Sequence, residues 1–155
     1  MKKITIIFSV IFLVGCSSES ENIESQSIDK NETFNWRLVT SWPKNYPGLG
    51  MAPEKIADLV EEMSDGQMKI TVYGAEEQVP AFGVFDAVSS GSHQMGHSGG
   101  YFWKGKVPAA QFFTSVPFGL TADEINAWVN RGGGIELWRE IYAPFNIYPI
   151  PAGNT

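Results

Sequence analysis

From Phe34 the chain alternates, with Phe34, Trp36, Leu38, Thr40 and Trp42 on one side of an extended run and Arg37 among those on the other. A period of two predicts a strand, which breaks at Ser41-Trp42-Pro43 into a loop holding Pro47, Gly48 and Gly50. The period then changes. Pro53 suits a first helical position, and Ile56, Leu59, Val60 and Met63 follow at the spacing of a core-facing helical stripe that Gly66 ends. Met68, Ile70 and Val72 alternate with Gln67, Lys69 and Thr71, which predicts a second strand.

The alternation of elements continues. Phe82 to Val88 reads as a short helix ended near Gly91, and Ser92 to His97 as a weakly patterned third strand. Thr121 with Glu124 forms a capping box, in which each side chain satisfies an orphan amide at a helix start. That helix turns Ile125, Trp128 and Val129 one way and ends at Gly132-Gly133-Gly134. A further helix carries Ile135, Trp138, Ile141 and Tyr142 on one face and stops at Pro144, after which Asn146 to Ile150 reads as a closing strand. Strands alternating with helices imply an α/β fold, an open and mostly parallel sheet with helices on both faces. Ligands of such sheets bind at the carboxyl ends of strands. The loops from Thr40 to Gly50, Gly74 to Pro80 and His97 to Lys106 are therefore the places to look for chemistry.

The region before Phe34 has a different character. Lys2 and Lys3 precede an uncharged run from Ile4 to Val14, then Gly15 and the chain's single cysteine, Cys16. This is the layout of a signal peptide. Its 11 apolar or neutral residues fall short of the roughly 20 that a membrane-crossing helix needs. Leu13-Val14-Gly15-Cys16 resembles a lipobox, which implies cleavage before Cys16 and lipidation of its thiol. Residues 1–16 are thus expected to be signal and lipidation site. Residues 17–33, with five serines and five acids against Lys30 alone, are expected to be a disordered tether. Loss of Lys2 and Lys3 takes the net charge from −6 to −8, which argues against nucleic acid or an anionic membrane surface as a partner. Residues 34–155 are the length of one domain.

Three patterns invite chemistry. Gly96-His97-Ser98-Gly99-Gly100 fits the G-x-S-x-G signature of a hydrolase elbow with Ser98 as nucleophile. However, Tyr101 to Gly105 lacks the helical period that must receive the elbow, and no histidine follows Ser98. The alternative is a glycine-rich turn closely approached by ligand or backbone. His93 and His97 are four apart, but on a strand that separates them by about 13 Å, too far to share a zinc whose ligands each lie near 2 Å. Tyr101-Phe102-Trp103 with Lys104 and Lys106 joins aromatic surface to positive charge, a combination suited to a small organic anion. Here Phe102 is expected in the core and the polar tips of Tyr101 and Trp103 in a cleft.

Several blocks together resemble a known family: Thr40-Ser41-Trp42-Pro43, the run Val84 to Gly91, His97-Ser98 before Tyr101 to Lys106, Val116 to Thr121, and Pro151-Ala152-Gly153-Asn154-Thr155. They resemble the DctP-type solute receptors of TRAP transporters, and among these the 2-oxoacid and lactate branch. The resemblance implies a type II periplasmic binding protein fold, a two-domain clam-shell of which residues 34–155 are expected to be the first domain with the start of its crossover, the rest being cut off. It implies a non-enzymatic, exported, periplasmic or cell-surface receptor, lipid-anchored through Cys16. The partners implied are a small monocarboxylate, either a 2-oxoacid or a hydroxy acid, and the membrane permease subunits. No cofactor is assigned to this stretch. The family's arginine for the carboxylate, and a sodium or calcium ion beside the substrate, have ligands mostly beyond Thr155. The residues assigned to the cleft are His97, Ser98, Tyr101 and Trp103. A receptor feeding a signalling partner, and an envelope hydrolase using Ser98, are the rival readings.

Overall fold

The computed structural model describes residues 32–153. The signal segment, Cys16 and nearly all of the tether lie outside the described residues, as do Asn154 and Thr155.

Three parallel strands form the sheet, in the order β2-β1-β3: β1 is Phe34–Thr40, β2 Met68–Tyr73 and β3 Met95–His97. Leu38 pairs with Val72 on one side and Met95 on the other, so β1 is central. The carboxyl half of β1 buries Leu38, Val39 and Thr40 in succession. A central strand of a parallel sheet is covered on both faces, which suppresses the one-sided pattern expected for it. On one face Leu38, Ile70 and Val72 pack against helix α1, Met51–Met63, through Ala57 and Val60. On the other, Val39 packs against Val84 and Ala87 of helix α2, Val84–Ser89. The expected two-faced, mostly parallel sheet is thus present. Gly96 of β3 permits the second contact, because a Cβ there would lie 2.7 Å from a Val84 methyl and 2.8 Å from one of Val88.

Helix α1 starts two residues before Pro53, which sits in the first turn where an N–H has no intrahelical partner. Its buried face is also rotated from the expected stripe. Pro53 and Ala57 are buried, while Leu59 and Met63 are 39% and 78% exposed. Small Ala57 lets the helix approach the sheet, and the larger residues are left at the margin.

After β3 the chain takes a 3-10 turn over Gly100–Trp103 and a second, unanticipated one over Pro108–Phe113. Helix α3, Ala122–Arg131, begins with the expected capping box, both halves of which are made. Gly133, at φ 83°, turns the chain into helix α4, Gly134–Tyr142. A 3-10 turn over Ala143–Phe145 carries the chain through Pro144.

The closing strand expected at Asn146 to Ile150 does not form. Asn146 is left-handed at φ 56°, and Pro149 and Pro151 have no N–H to give a ladder. The segment is held by side chains instead. Ile147 packs on the cluster of Phe85, Val107, Ala110 and Tyr142, the Arg139 guanidinium lies 4.5 Å from the Tyr148 ring centre, and Ser89 Oγ donates to the Phe145 carbonyl at 2.7 Å. Among the described residues no helix is long and apolar enough to cross a membrane.

Candidate functional site

At the carboxyl ends of β1 and β3 lies a cleft of about 390 Å³, within the roughly 300–1,000 Å³ common for small-molecule sites. One wall is the turn from Gly96 to Tyr101 with Trp103, and beside it stand Trp42, Leu49 and Ala52. The opposite wall is Phe113, with Ile125 and Val129 of α3 and Trp138 of α4. Phe113 stacks between two indoles, 5.2 Å from Trp128 at 14° and 5.1 Å from Trp138 at 6°, which stiffens that wall. The segment Ile150 to Gly153 completes the lining.

His97, Ser98, Tyr101 and Trp103 therefore all border one cavity. Their polar groups are differently disposed. Ser41 Oγ donates to the Ala81 carbonyl at 2.7 Å, so in the 2.5 Å contact between Ser98 Oγ and Ser41 Oγ the proton comes from Ser98. Ser98 Oγ keeps only lone pairs for the cleft. No hydrogen bond joins it to the neighbouring His97 either, whose Nδ1 meets Thr40 Oγ1 at 3.3 Å. A 3-10 turn follows the serine where a hydrolase elbow needs a helix, so the arrangement of a serine nucleophile is not built.

Burial lowers the His97 pKa below its ordinary value, keeping the ring neutral at pH 7. The ring lies 5.0 Å from Trp42. Tyr101 folds over Gly99, where an added Cβ would be 2.6 Å from the ring, and meets Phe102 edge-on at 4.6 Å.

Tyr101 borders the cleft as expected, but Phe102 and the polar tip of Trp103 exchange their expected places. Trp103 turns into the core, where its Nε1 donates to the buried Tyr142 hydroxyl at 2.6 Å and its ring lies 5.2 Å from Phe85. It reaches the cleft with carbon and spends its polar tip elsewhere. Phe102, expected in the core, is 36% exposed and joins a surface ladder with Trp42 and Phe82. The lysines do not serve the cleft: Lys106 pairs with Asp86, and neither it nor Lys104 borders the cavity.

Among the described residues no lysine, arginine, aspartate or glutamate lines the cleft. A hard cation collects six to eight oxygens with carboxylates prominent among them. This lining does not fit such an ion, and among the described residues no group of three or more His, Cys, Asp or Glu is placed to hold a metal. His93 stands apart from His97. It is buried, its Nδ1 is 3.1 Å from Ser92 Oγ, and burial, then the nearby Arg37 charge, lowers its pKa.

Of the loops expected to carry chemistry, Thr40 to Gly50 and His97 to Lys106 contribute to the cleft, and Gly74 to Pro80 does not. That loop is tied to the first one by the Lys44–Glu77 ion pair at 3.4 Å. Sequence reasoning missed the far wall. Phe113, Ile125, Val129 and Trp138 carry only the signal of ordinary core residues, and nothing local to them reveals that one edge stays open.

Comparison with known proteins agrees with this geometry. Residues 38–150 match the family described as DctP, bacterial extracellular solute-binding protein, family 7. The monocarboxylate 2-oxoacid-binding periplasmic protein of Nostoc sp. is 47% identical over 120 residues, which are 77% of this chain and 33% of that protein. A TRAP periplasmic solute-binding protein of Pseudoalteromonas atlantica, solved with bound sodium and pyruvate, is 46% identical with a TM-score of 0.75 over 77% of this chain and 36% of that one. One from Colwellia psychrerythraea, solved with calcium and pyruvate, is 42% identical with a TM-score of 0.75 over 77% and 37%. The chain thus spans about a third of the length of the relatives it matches. It belongs to the DctP family of extracellular solute-binding proteins.

Proposed function

We propose that this chain forms one lobe of an extracytoplasmic receptor that captures a small monocarboxylate, a 2-oxoacid such as pyruvate or a hydroxy acid such as lactate, for a TRAP permease. The observation that carries the reading is the cleft: about 390 Å³, at the strand carboxyl ends, lined by aromatic, aliphatic, glycyl and neutral polar groups and, among the described residues, by no formal charge. A small organic acid buries its carbon skeleton against such a lining, while a second carboxylate would be desolvated there without a partner. Relatives that carry pyruvate support the choice of ligand.

The cation that holds the carboxylate, and any sodium or calcium ion, then belong to a second lobe outside this chain. Closure of the two lobes would exclude water and strengthen every polar contact inside. Reading the coding sequence past Thr155 tests this directly, and an immediate stop codon would defeat it. Cys16 would carry the lipid, and two or three acyl chains anchor durably where one does not. The tether to Thr33, at up to about 3.5 Å per residue, would let the receptor reach a permease without leaving the membrane. Labelled fatty acid should enter the protein and be lost in Cys16→Ser.

A thermal melt of the intact receptor tests the ligand. Pyruvate at 100 times its Kd should add about 2.7 kcal/mol of stability. An unmoved transition with every 2-oxoacid and 2-hydroxy acid tried would reject the assignment.

A further inference from the structure

We propose that Thr40 is a positioning residue that holds His97 as the neutral imidazole with its proton on Nε2, so that the ring meets an anionic ligand as a hydrogen-bond donor. This rests on the ligand-binding reading of the cleft.

The argument follows the protons. Thr40 is 1% exposed, and its Oγ1 accepts the backbone N–H of Trp42 at 3.2 Å. The hydroxyl still has a proton to give, and a buried donor left unmade is costly. Among the described residues its partner is His97 Nδ1, 3.3 Å away. If Nδ1 accepts, a neutral ring carries its hydrogen on Nε2. Charging the ring would put a second proton on Nδ1, and the Thr40 hydroxyl would have to turn away with no acceptor. The contact and the burial of the ring therefore act in the same direction, against the imidazolium.

Among the described residues no acid lines the cleft to reverse this. On β1, Arg37 sits mid-strand, three residues before Thr40, with its Nη2 donating to the Ser92 carbonyl at 2.5 Å. On α2, Asp86 is engaged by Lys106. The other titratable group bordering the cleft is Tyr101. Two adjacent residues then present opposite hydrogen-bonding characters: His97 donates through Nε2, and Ser98 Oγ, its proton given to Ser41, only accepts. A carboxylate or keto oxygen matches the first, and a ligand hydroxyl matches the second.

Nitrogen-15 spectroscopy of the histidine-labelled receptor reads the tautomer, with the His97 signals assigned by their loss in His97→Gln. The wild type should give the Nε2–H pattern. Thr40→Val, close in shape but without the hydroxyl, should admit the Nδ1–H form and move the His97 titration to higher pH, and Thr40→Ser should restore both. An Nδ1–H pattern in the wild type, or a folded Thr40→Val with unchanged tautomer and titration, would overturn the proposal. If Thr40→Val does not fold, the wild-type pattern decides alone.

The ligand side is separable. His97→Gln, whose amide can place an N–H near the Nε2 position, should hold the Kd for pyruvate within about threefold, whereas His97→Phe should weaken it by about tenfold or more. Equal affinity in His97→Phe would remove the donor role and leave the receptor reading intact. Failure of the wild type to bind any 2-oxoacid or 2-hydroxy acid would remove both.

Discussion

Gly100 and Trp103 show how tightly single residues set the cleft's rear wall. A Cβ on Gly100 would stand 2.5 Å from the Ala110 carbonyl oxygen, a backbone atom that cannot swing aside. Gly100→Ala should therefore cost about 1–3 kcal/mol, read by chemical denaturation, and a loss under 0.5 kcal/mol would mean the turn can shift. Trp103→Phe replaces the indole with a smaller ring and deletes the donor to Tyr142, a residue only 2% exposed. The lost hydrogen bond and the space left beside Phe85 should together cost about 1–3 kcal/mol. The sequence offered no way to rank Phe102 and Trp103, because a 3-10 turn of about three residues per turn points neighbours some 120° apart and their order along the chain does not say which faces inward.

The two histidines give stability a pH dependence of known sign. Both have folded-state pKa values below the ordinary one, so between the two values the unfolded chain binds more protons than the native one. Their contribution is intact above about pH 6.5 and is lost as the pH falls below it. Denaturation midpoints should drop between pH 7 and pH 5, and His93→Asn with His97→Gln should flatten that part of the curve. A midpoint that rises over the same interval would contradict the burial argument.

At the level of elements, legibility followed locality. The capping box of α3 was readable because Thr121 and Glu124 satisfy each other within one turn, and both bonds are present, Glu124 Oε2 accepting from the Thr121 N–H at 2.8 Å. Thr121→Ala should cost about 1 kcal/mol. The strand-helix-strand order was equally plain, since periods of two and 3.6 need no knowledge of partners. Partner-dependent features were not plain. Leu59 and Met63 share the periodicity of a core stripe yet lie outside it, because the curvature and edge of the sheet decide how far the core extends. Asn146 to Ile150 has strand-like composition, but Pro149, the following Pro151 and a left-handed asparagine leave it to be fixed by Arg139 on Tyr148, 9 residues away, and by Ser89 on the adjacent Phe145, 56 residues away.

Over the whole molecule, several large apolar residues stand exposed among the described residues. Phe82 is 70% exposed, Ile150 68% and Phe118 fully so. On the proposed reading a second lobe covers part of this surface, and the residues around His97 make only the neutral half of the site. The family was readable from blocks of sequence in the right order, and the match over residues 38–150 agrees. The cleft's lack of charge was not readable, since Lys104 and Lys106 lie beside the right aromatics in sequence and point elsewhere in space. It is also what makes the account testable. Calorimetric titration of the intact receptor, with and without sodium or calcium, should show pyruvate or lactate binding and four-carbon dicarboxylates at least about tenfold weaker, the second charge having no partner in this lining. A dicarboxylate bound as tightly as pyruvate, or no binding by any 2-oxoacid or 2-hydroxy acid, would contradict it.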